Sequence, residues 1–161
     1  MNAEQRGGFM RGVVVGIVTD VDDPTSMGCV RVKYPSLGNS ISSGWVPVCT
    51  LLAGKDRGAW FMPEPDDEVL VAFDNGQFST PYVVGRLWNG KDKPPETETK
   101  NRVLKTPGGH ELRFEDKSGA KKIVVKTDGG LQITMDDTTQ SIEIKGGGRA
   151  ITMQSGQLKI T

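Results

Sequence analysis

The sequence predicts an all-β protein: a small closed barrel followed by a glycine-punctuated repeat of short strands. Three observations carry that expectation. Apolar and polar residues alternate with a period of two in every run that can be traced, the mark of strands with one buried face. The 21 glycines fall between those runs, not in low-complexity tracts, as in a chain with many turns. From Gly108 onward one pattern returns three times, and a fixed repeat points to a stacked architecture. Helical periodicity is hard to find.

Residues 1–11 form a polar N-terminal arm. A barrel is expected over residues 12–90. Its first strand runs from Gly12 to Thr19. Asp22 to Gly28 carries turn chemistry, with Pro24 to preset φ and Gly28 to take a positive one. Cys29 to Tyr34 alternates cleanly as the second strand and stops at Pro35. Gly44 to Cys49 is the third, where Pro47 suggests an edge or a bulge. A long connection from Leu51 to Pro65 follows. Glu68 to Phe73 and Pro81 to Trp88 are the fourth and fifth strands, joined by the turn Asp74-Asn75-Gly76. Five strands in roughly 80 residues with a long third connection fit a closed barrel of the OB type, which removes exposed sheet edges. Residues 91–105, with Lys91, Asp92, Lys93, Pro94, Pro95, Glu96 and Glu98, read as a charged, proline-stiffened linker.

Residues 106–161 are the repeat. Gly108-Gly109, Gly129-Gly130 and Gly147-Gly148 each precede an apolar pair: Leu112/Phe114, Ile133/Met135 and Ile151/Met153. A second alternating pair follows each time: Ile123/Val125, Ile142/Ile144 and Leu158/Ile160. The stretch between first and second pair shortens with each copy, so the module tapers toward its C-terminus. About six short strands with a thin apolar face are too little for an independent fold, and such segments need disulfides, metal or self-association. No cysteine lies beyond Cys49 and no ligand cluster is visible. Three copies around one axis would turn the twelve side chains Leu112, Phe114, Ile123, Val125, Ile133, Met135, Ile142, Ile144, Ile151, Met153, Leu158 and Ile160 into a shared core. At ~4.8 Å per strand such a prism would be roughly 30 Å long. The alternative is a pair of hairpins packed on the preceding domain.

Other residue types exclude more than they suggest. Lys+Arg and Asp+Glu are 20 each, so no net attraction to nucleic acid or an anionic membrane is expected. The longest early apolar run, Val13 to Val18, is too short for a signal core or membrane span, and Asp20, Asp22 and Asp23 follow it. A chain made in the cytoplasm without a signal peptide is the expectation. Cys29 and Cys49 read as buried thiols. His110, the only histidine, has no partner ligands in sequence and reads as a packing residue at the mouth of the prism. Asp66-Asp67-Glu68 would point neighbouring carboxylates to opposite faces and reads as a solvated turn, not a metal site. Ser42 and Ser43 lack a nucleophile pattern. Trp45, Trp60, Phe61 and Trp88 could form a base-stacking platform on an OB barrel, but without a basic groove they read as barrel core or collar contacts. No catalytic residue, metal or cofactor is assigned.

The chain closely resembles the OB-fold spike proteins of contractile injection machines: the phage baseplate assembly protein V, the matching region of type VI secretion VgrG proteins, and spikes of extracellular contractile systems. The resemblance rests on Gly16-Ile17-Val18-Thr19-Asp20, on Asp23-Pro24 through Gly28-Cys29-Val30-Arg31-Val32-Lys33-Tyr34-Pro35, and on Trp45-Val46-Pro47-Val48. It rests most on Pro63-Glu64-Pro65-Asp66-Asp67-Glu68-Val69-Leu70-Val71-Ala72-Phe73 and on Pro81 through Trp88-Asn89-Gly90-Lys91-Asp92-Lys93-Pro94-Pro95, continuing into Gly108-Gly109-His110-Glu111-Leu112. Asp66 stands where the family often has glycine, and Cys29 where a basic residue is common. The hub domain that precedes this region in VgrG proteins has no counterpart in these residues. Nor do the lysozyme domain of some phage spikes and the extended needle with its metal-binding tip.

The resemblance implies a homotrimer in which three barrels form a collar and the C-terminal strands intertwine into a triangular β-prism or β-helix, stiffened by interchain backbone hydrogen bonds. It implies a hub protein of the baseplate on the barrel side and a transient contact with the target membrane when the sheath contracts. Because Thr161 ends the sequence on a strand after Leu158 and Ile160, a conical tip protein of the PAAR class is expected to cap Leu158, Ile160 and Thr161. A structural spike without catalysis is the leading reading. An OB-fold binding module for single-stranded nucleic acid or carbohydrate is the alternative.

Overall fold

The computed structural model describes residues 9–10, 12–38 and 40–161. The expected arm over residues 1–11 therefore lies, apart from Phe9 and Met10, outside the described residues. Two compact units divide the chain, one ending at Lys93 and one spanning Pro94–Thr161.

The first unit holds β1 (Val13–Asp20), β2 (Cys29–Lys33), β3 (Val46–Pro47), β4 (Ala53–Gly54), β5 (Arg57–Gly58), β6 (Glu68–Phe73) and β7 (Pro81–Arg86). Five of them form one antiparallel sheet in the order β3-β2-β1-β6-β7. Val48, just past β3, bridges Val83 of β7 in parallel, and the Cys49 N–H donates to the Val83 carbonyl at 2.8 Å. That contact brings the two ends of the sheet together into a near-closed barrel. The third strand is shorter than expected because only Val46 and Pro47 ladder with β2; proline has no N–H to extend the pairing.

Inside the barrel the alternation pays out as a core made mostly of valine: Val14, Val18, Val30, Val32, Val46, Val69, Val71 and Val83, closed at one end by Tyr34 and Phe73. Phe73 and Phe78 stack at 5.4 Å between centroids, and Tyr34 meets Phe73 tilted at 5.9 Å and Phe78 edge-on at 5.7 Å. Branched side chains suit a tightly curved pleated surface. Gly16 is also inward, and a Cβ there would run into the Val32 side chain. Two irregularities bend the wall. The β1–β2 register shifts between Val18 and Asp20, and the β6–β7 register shifts after Leu70, leaving Val84 as the extra residue of a bulge.

Two turns hold the barrel strands. Asp23 accepts four hydrogen bonds, from the Thr25 N–H and hydroxyl and from the N–H groups of Met27 and Cys29, at 2.7–3.1 Å. Partial burial pushes its carboxyl up, but these donors outweigh that and hold it down at about 2. At Glu64-Pro65-Asp66-Asp67 the Asp67 N–H donates to the Glu64 carbonyl, and Asp66 takes φ +73°. Proline at the second position and a positive φ at the third are the type II turn, which prefers glycine there. Glycine would take this conformation without the strain that Asp66 bears.

The long connection before this turn carries the exposed β4–β5 hairpin, which the sequence pattern does not announce. Of the aromatics read as barrel core or collar contacts, three lie outside the core: Trp60 is 72 % exposed, Trp88 68 % and Phe61 50 %. The barrel interior is filled by valines and has no space for them. Trp45 is half-buried under the Arg31 guanidinium, 5.0 Å from its ring centroid. Neither cysteine is buried as expected: Cys29 is half-exposed and Cys49 exposed, because β2 places Cys29 on the face opposite Val30, and Cys49 lies beyond β3.

The second unit is one sheet of seven antiparallel strands in sequence order: β8 (Asn101–Lys105), β9 (Glu111–Glu115), β10 (Lys122–Lys126), β11 (Gln132–Asp136), β12 (Ser141–Gly146), β13 (Arg149–Gln154) and β14 (Gln157–Ile160). The sheet opens within the stretch read as linker, because β8 adds a seventh strand ahead of the six expected. No register shift interrupts the ladder from β8 to β14.

Candidate functional site

The register of the second unit aligns its apolar residues in two columns. Leu104, Leu112, Val125, Ile133, Ile144, Ile151 and Ile160 are successive cross-strand partners. Arg102, Phe114, Ile123, Met135, Ile142, Met153 and Leu158 are the second column, two residues over on the same face. All twelve side chains read from the repeat thus fall on one face of one sheet. Leu104 belongs with them and was missed, because Val103 beside it breaks the alternation; Val103 lies on the opposite face.

The turns explain the registration. Between β8 and β9, Thr106 takes the Gly109 N–H on its carbonyl and the His110 N–H on its hydroxyl, at 2.9 and 3.1 Å. Thr127 does the same for Gly130 and Leu131 between β10 and β11, at 3.1 Å each. A threonine three residues ahead of the second glycine was the available sequence signal for this turn. His110 accepts from the Asp128 N–H through Nδ1, so the first two of these turns lean on one another. His110 is exposed in the single chain. In the third copy only Gly147 and Gly148 remain, at φ +57° and +74°, the two-residue hairpin whose twist matches the strands. On that side the connections run 106–110, 127–131 and 147–148; on the other they run 116–121, 137–140 and 155–156. The module tapers on both sides.

The opposite face carries Val103 and the buried Val124 but is otherwise mostly polar and knitted by ion pairs. Arg113 bonds Glu111 at 2.6 Å and also Glu96, Lys122 pairs with Glu115 at 3.2 Å, and Lys145 with Glu143 at 2.8 Å. Hydrogen bonds from Asn101, from the N–H groups of Glu98 and Thr97, and from Arg113 hold the Glu96 carboxyl at about 2. The Glu111 and Glu96 partners push the Arg113 guanidinium up.

The apolar face has no second layer within this unit. Ile133 is 41 % exposed near the middle of the sheet, and Ile160 72 % exposed on its last strand. A domain normally buries its apolar face against another layer, and an uncovered patch this long marks an interaction surface. Completing the burial of each half-exposed side chain is worth about 1 kcal/mol. Backbone groups of the five inner strands, by contrast, are paired within the chain, so a neighbour meets the side chains and the two free edges, β8 and β14. Ala150 and Thr161 exchange both hydrogen bonds, at 2.8 and 2.9 Å. By antiparallel alternation Leu158 and Ile160 therefore turn their N–H and C=O outward, while those of Thr161 point back to β13. Among the described residues no group of three His, Cys, Asp or Glu side chains converges as a metal site would require.

A five-stranded OB-type barrel is followed in sequence by a one-layer sheet whose uncovered apolar face is an interaction surface. Residues 14–88 match the type VI secretion system/phage-baseplate injector OB domain, and residues 101–161 match the phage baseplate V C-terminal trimerisation domain. The chain belongs to the spike family of type VI secretion systems and phage baseplates. It is 33 % identical over 134 residues to the type VI secretion system spike protein VgrG3 of Vibrio cholerae, covering 75 % of this chain and 13 % of that one. It is 31 % identical over 145 residues to the spike protein VgrG1c of Pseudomonas aeruginosa, covering 81 % and 20 %. A third relative, the actin cross-linking toxin VgrG1 of Vibrio cholerae, is 35 % identical over 108 residues, 60 % of this chain and 10 % of the toxin. The chain thus spans a fifth or less of the length of each of these relatives.

Proposed function

We propose that the chain is a structural spike of a contractile injection machine, a homotrimer that sits beneath the tube and is driven through a target envelope. The observation that carries this is the pair of uncovered apolar columns, one continuous over seven strands and the other over six. Three copies facing inward bury them; the twelve residues from Leu112 to Ile160 read from the repeat form the shared core, and Leu104 extends it.

In this reading the arm (1–11), the barrel (12–90) and the linker (91–105) lead into the prism (106–161), with β8 joining the prism from the linker. The barrel side meets a hub protein, and exposed Trp60, Phe61 and Trp88 serve as contacts between barrels or with that hub. A PAAR-like tip protein caps Leu158, Ile160 and Thr161, where apolar side chains coincide with outward backbone groups. The role is mechanical, without catalysis, within an assembled particle that touches the target membrane only transiently.

Light-scattering mass of the purified chain tests the reading. A mass of three chains supports it. A monomer at high concentration overturns it. The exposed tryptophans keep an OB binding module as the second reading, and a salt-dependent gel shift with single-stranded nucleic acid by a monomer favours that one.

A further inference from the structure

Arg102 is the one charged side chain within the two apolar columns. It occupies the first rung of the column that continues through Phe114 and Ile123, directly across the ladder from Phe114. Its Nη1 donates to the Thr99 and Asn101 carbonyls at 2.8 and 2.9 Å. Nε and Nη2 have no acceptor, and no carboxylate pairs with it, among the described residues. Arg113, on the other face of the same sheet, has two carboxylate partners. Asp116, two residues past Phe114 and just beyond β9, makes no ion pair with it.

We infer that three copies of Arg102 form an anion site at the wide end of the prism, specific for a small tetrahedral oxyanion of the phosphate class. The inference rests on the trimeric reading above, and the site is incomplete in one chain. Threefold packing of the column places three guanidiniums at one level of a narrow apolar interior. Like charges there repel strongly unless a counter-anion neutralises them. Guanidinium N–H groups favour phosphate because two parallel donors match two oxygens. The two carbonyl contacts at Nη1 orient the group and leave its remaining donors for the anion.

The test uses the full chain in chloride buffer, with inorganic phosphate as the probe and ionic strength matched throughout. Light scattering is run on the same samples. The expected result is one phosphate per three chains by titration calorimetry and a rise of a few degrees in melting temperature. Arg102→Gln loses both. Arg102→Leu, which completes the apolar column, is trimeric and melts higher without phosphate than the wild type does, with no response to it. A trimer that does not respond to phosphate overturns the anion site alone; charge neutralisation by Asp116 of a neighbouring copy would give that result. Binding of one phosphate per chain, or a response retained in Arg102→Leu, also overturns it. A monomeric wild type removes the trimer and the site with it.

Discussion

Ile133 of β11 is the direct register partner of Ile144 of β12, and Val125 of β10 faces it from the other side. The three sit mid-column on the uncovered face. Substituting Ile133→Asp places one carboxylate per chain there, and burying an unpaired charge costs several kcal/mol. The expected outcome is dissociation to monomer by light scattering, with the barrel's near-ultraviolet circular dichroism unchanged. Gln132→Asp, one residue away on the other face between Lys126 and Lys145, is the control and stays trimeric.

Gly16 has no room for a side chain against Val32 inside the barrel. Gly16→Ala forces a buried, β-branched neighbour off its position, an overpacking cost of about 1–3 kcal/mol. Denaturant unfolding followed by tryptophan fluorescence is expected to move to a lower midpoint. An unchanged midpoint would mean that the wall of β1 and β2 yields without cost.

Asp66 makes no side-chain hydrogen bond in the turn whose positive φ it supplies. Asp66→Gly relieves the left-handed penalty but loosens the unfolded chain, for a net gain of about 0.5–1 kcal/mol. A higher thermal midpoint is the expected reading; a lower one would show that the carboxylate contributes something beyond the turn.

Glu96 titrates from about 4.5 when unfolded to about 2 when folded. Its folded value is depressed, so its contribution is complete above about 4.5 and is lost as pH falls from there through about 2. Glu96→Gln is expected to flatten the acid limb of the melting-temperature profile of the C-terminal unit in that window. Equal slopes in mutant and wild type would place the acid sensitivity elsewhere, for instance at Asp23, whose carboxyl is also held at about 2.

The columns could be read in advance because the strands are short and two-sided and most are announced by a glycine turn. Alternation then leaves one assignment of faces. Strand β8 escaped because adjacent Val103 and Leu104 occupy opposite faces and Arg102 stands where an apolar residue would have completed the pattern. The β4–β5 hairpin escaped because its four paired residues include two glycines and carry no alternation. The choice between core and collar contacts for the aromatic side chains was not legible, for a different reason. Their size suggests a core, yet a five-stranded barrel has little interior volume, and valines already occupy it.

By itself the sequence determined the all-β class, the barrel strands, the tapering repeat and which twelve side chains share a face. All of these follow from local spacing and turn chemistry. Tertiary structure decided the parallel contact of Val48 with Val83 that brings the barrel ends together, the outward position of Trp60 and Trp88, and the placing of Arg102 across from Phe114. Those depend on register between strands distant in the chain or on competition for a limited interior, and no local pattern records either.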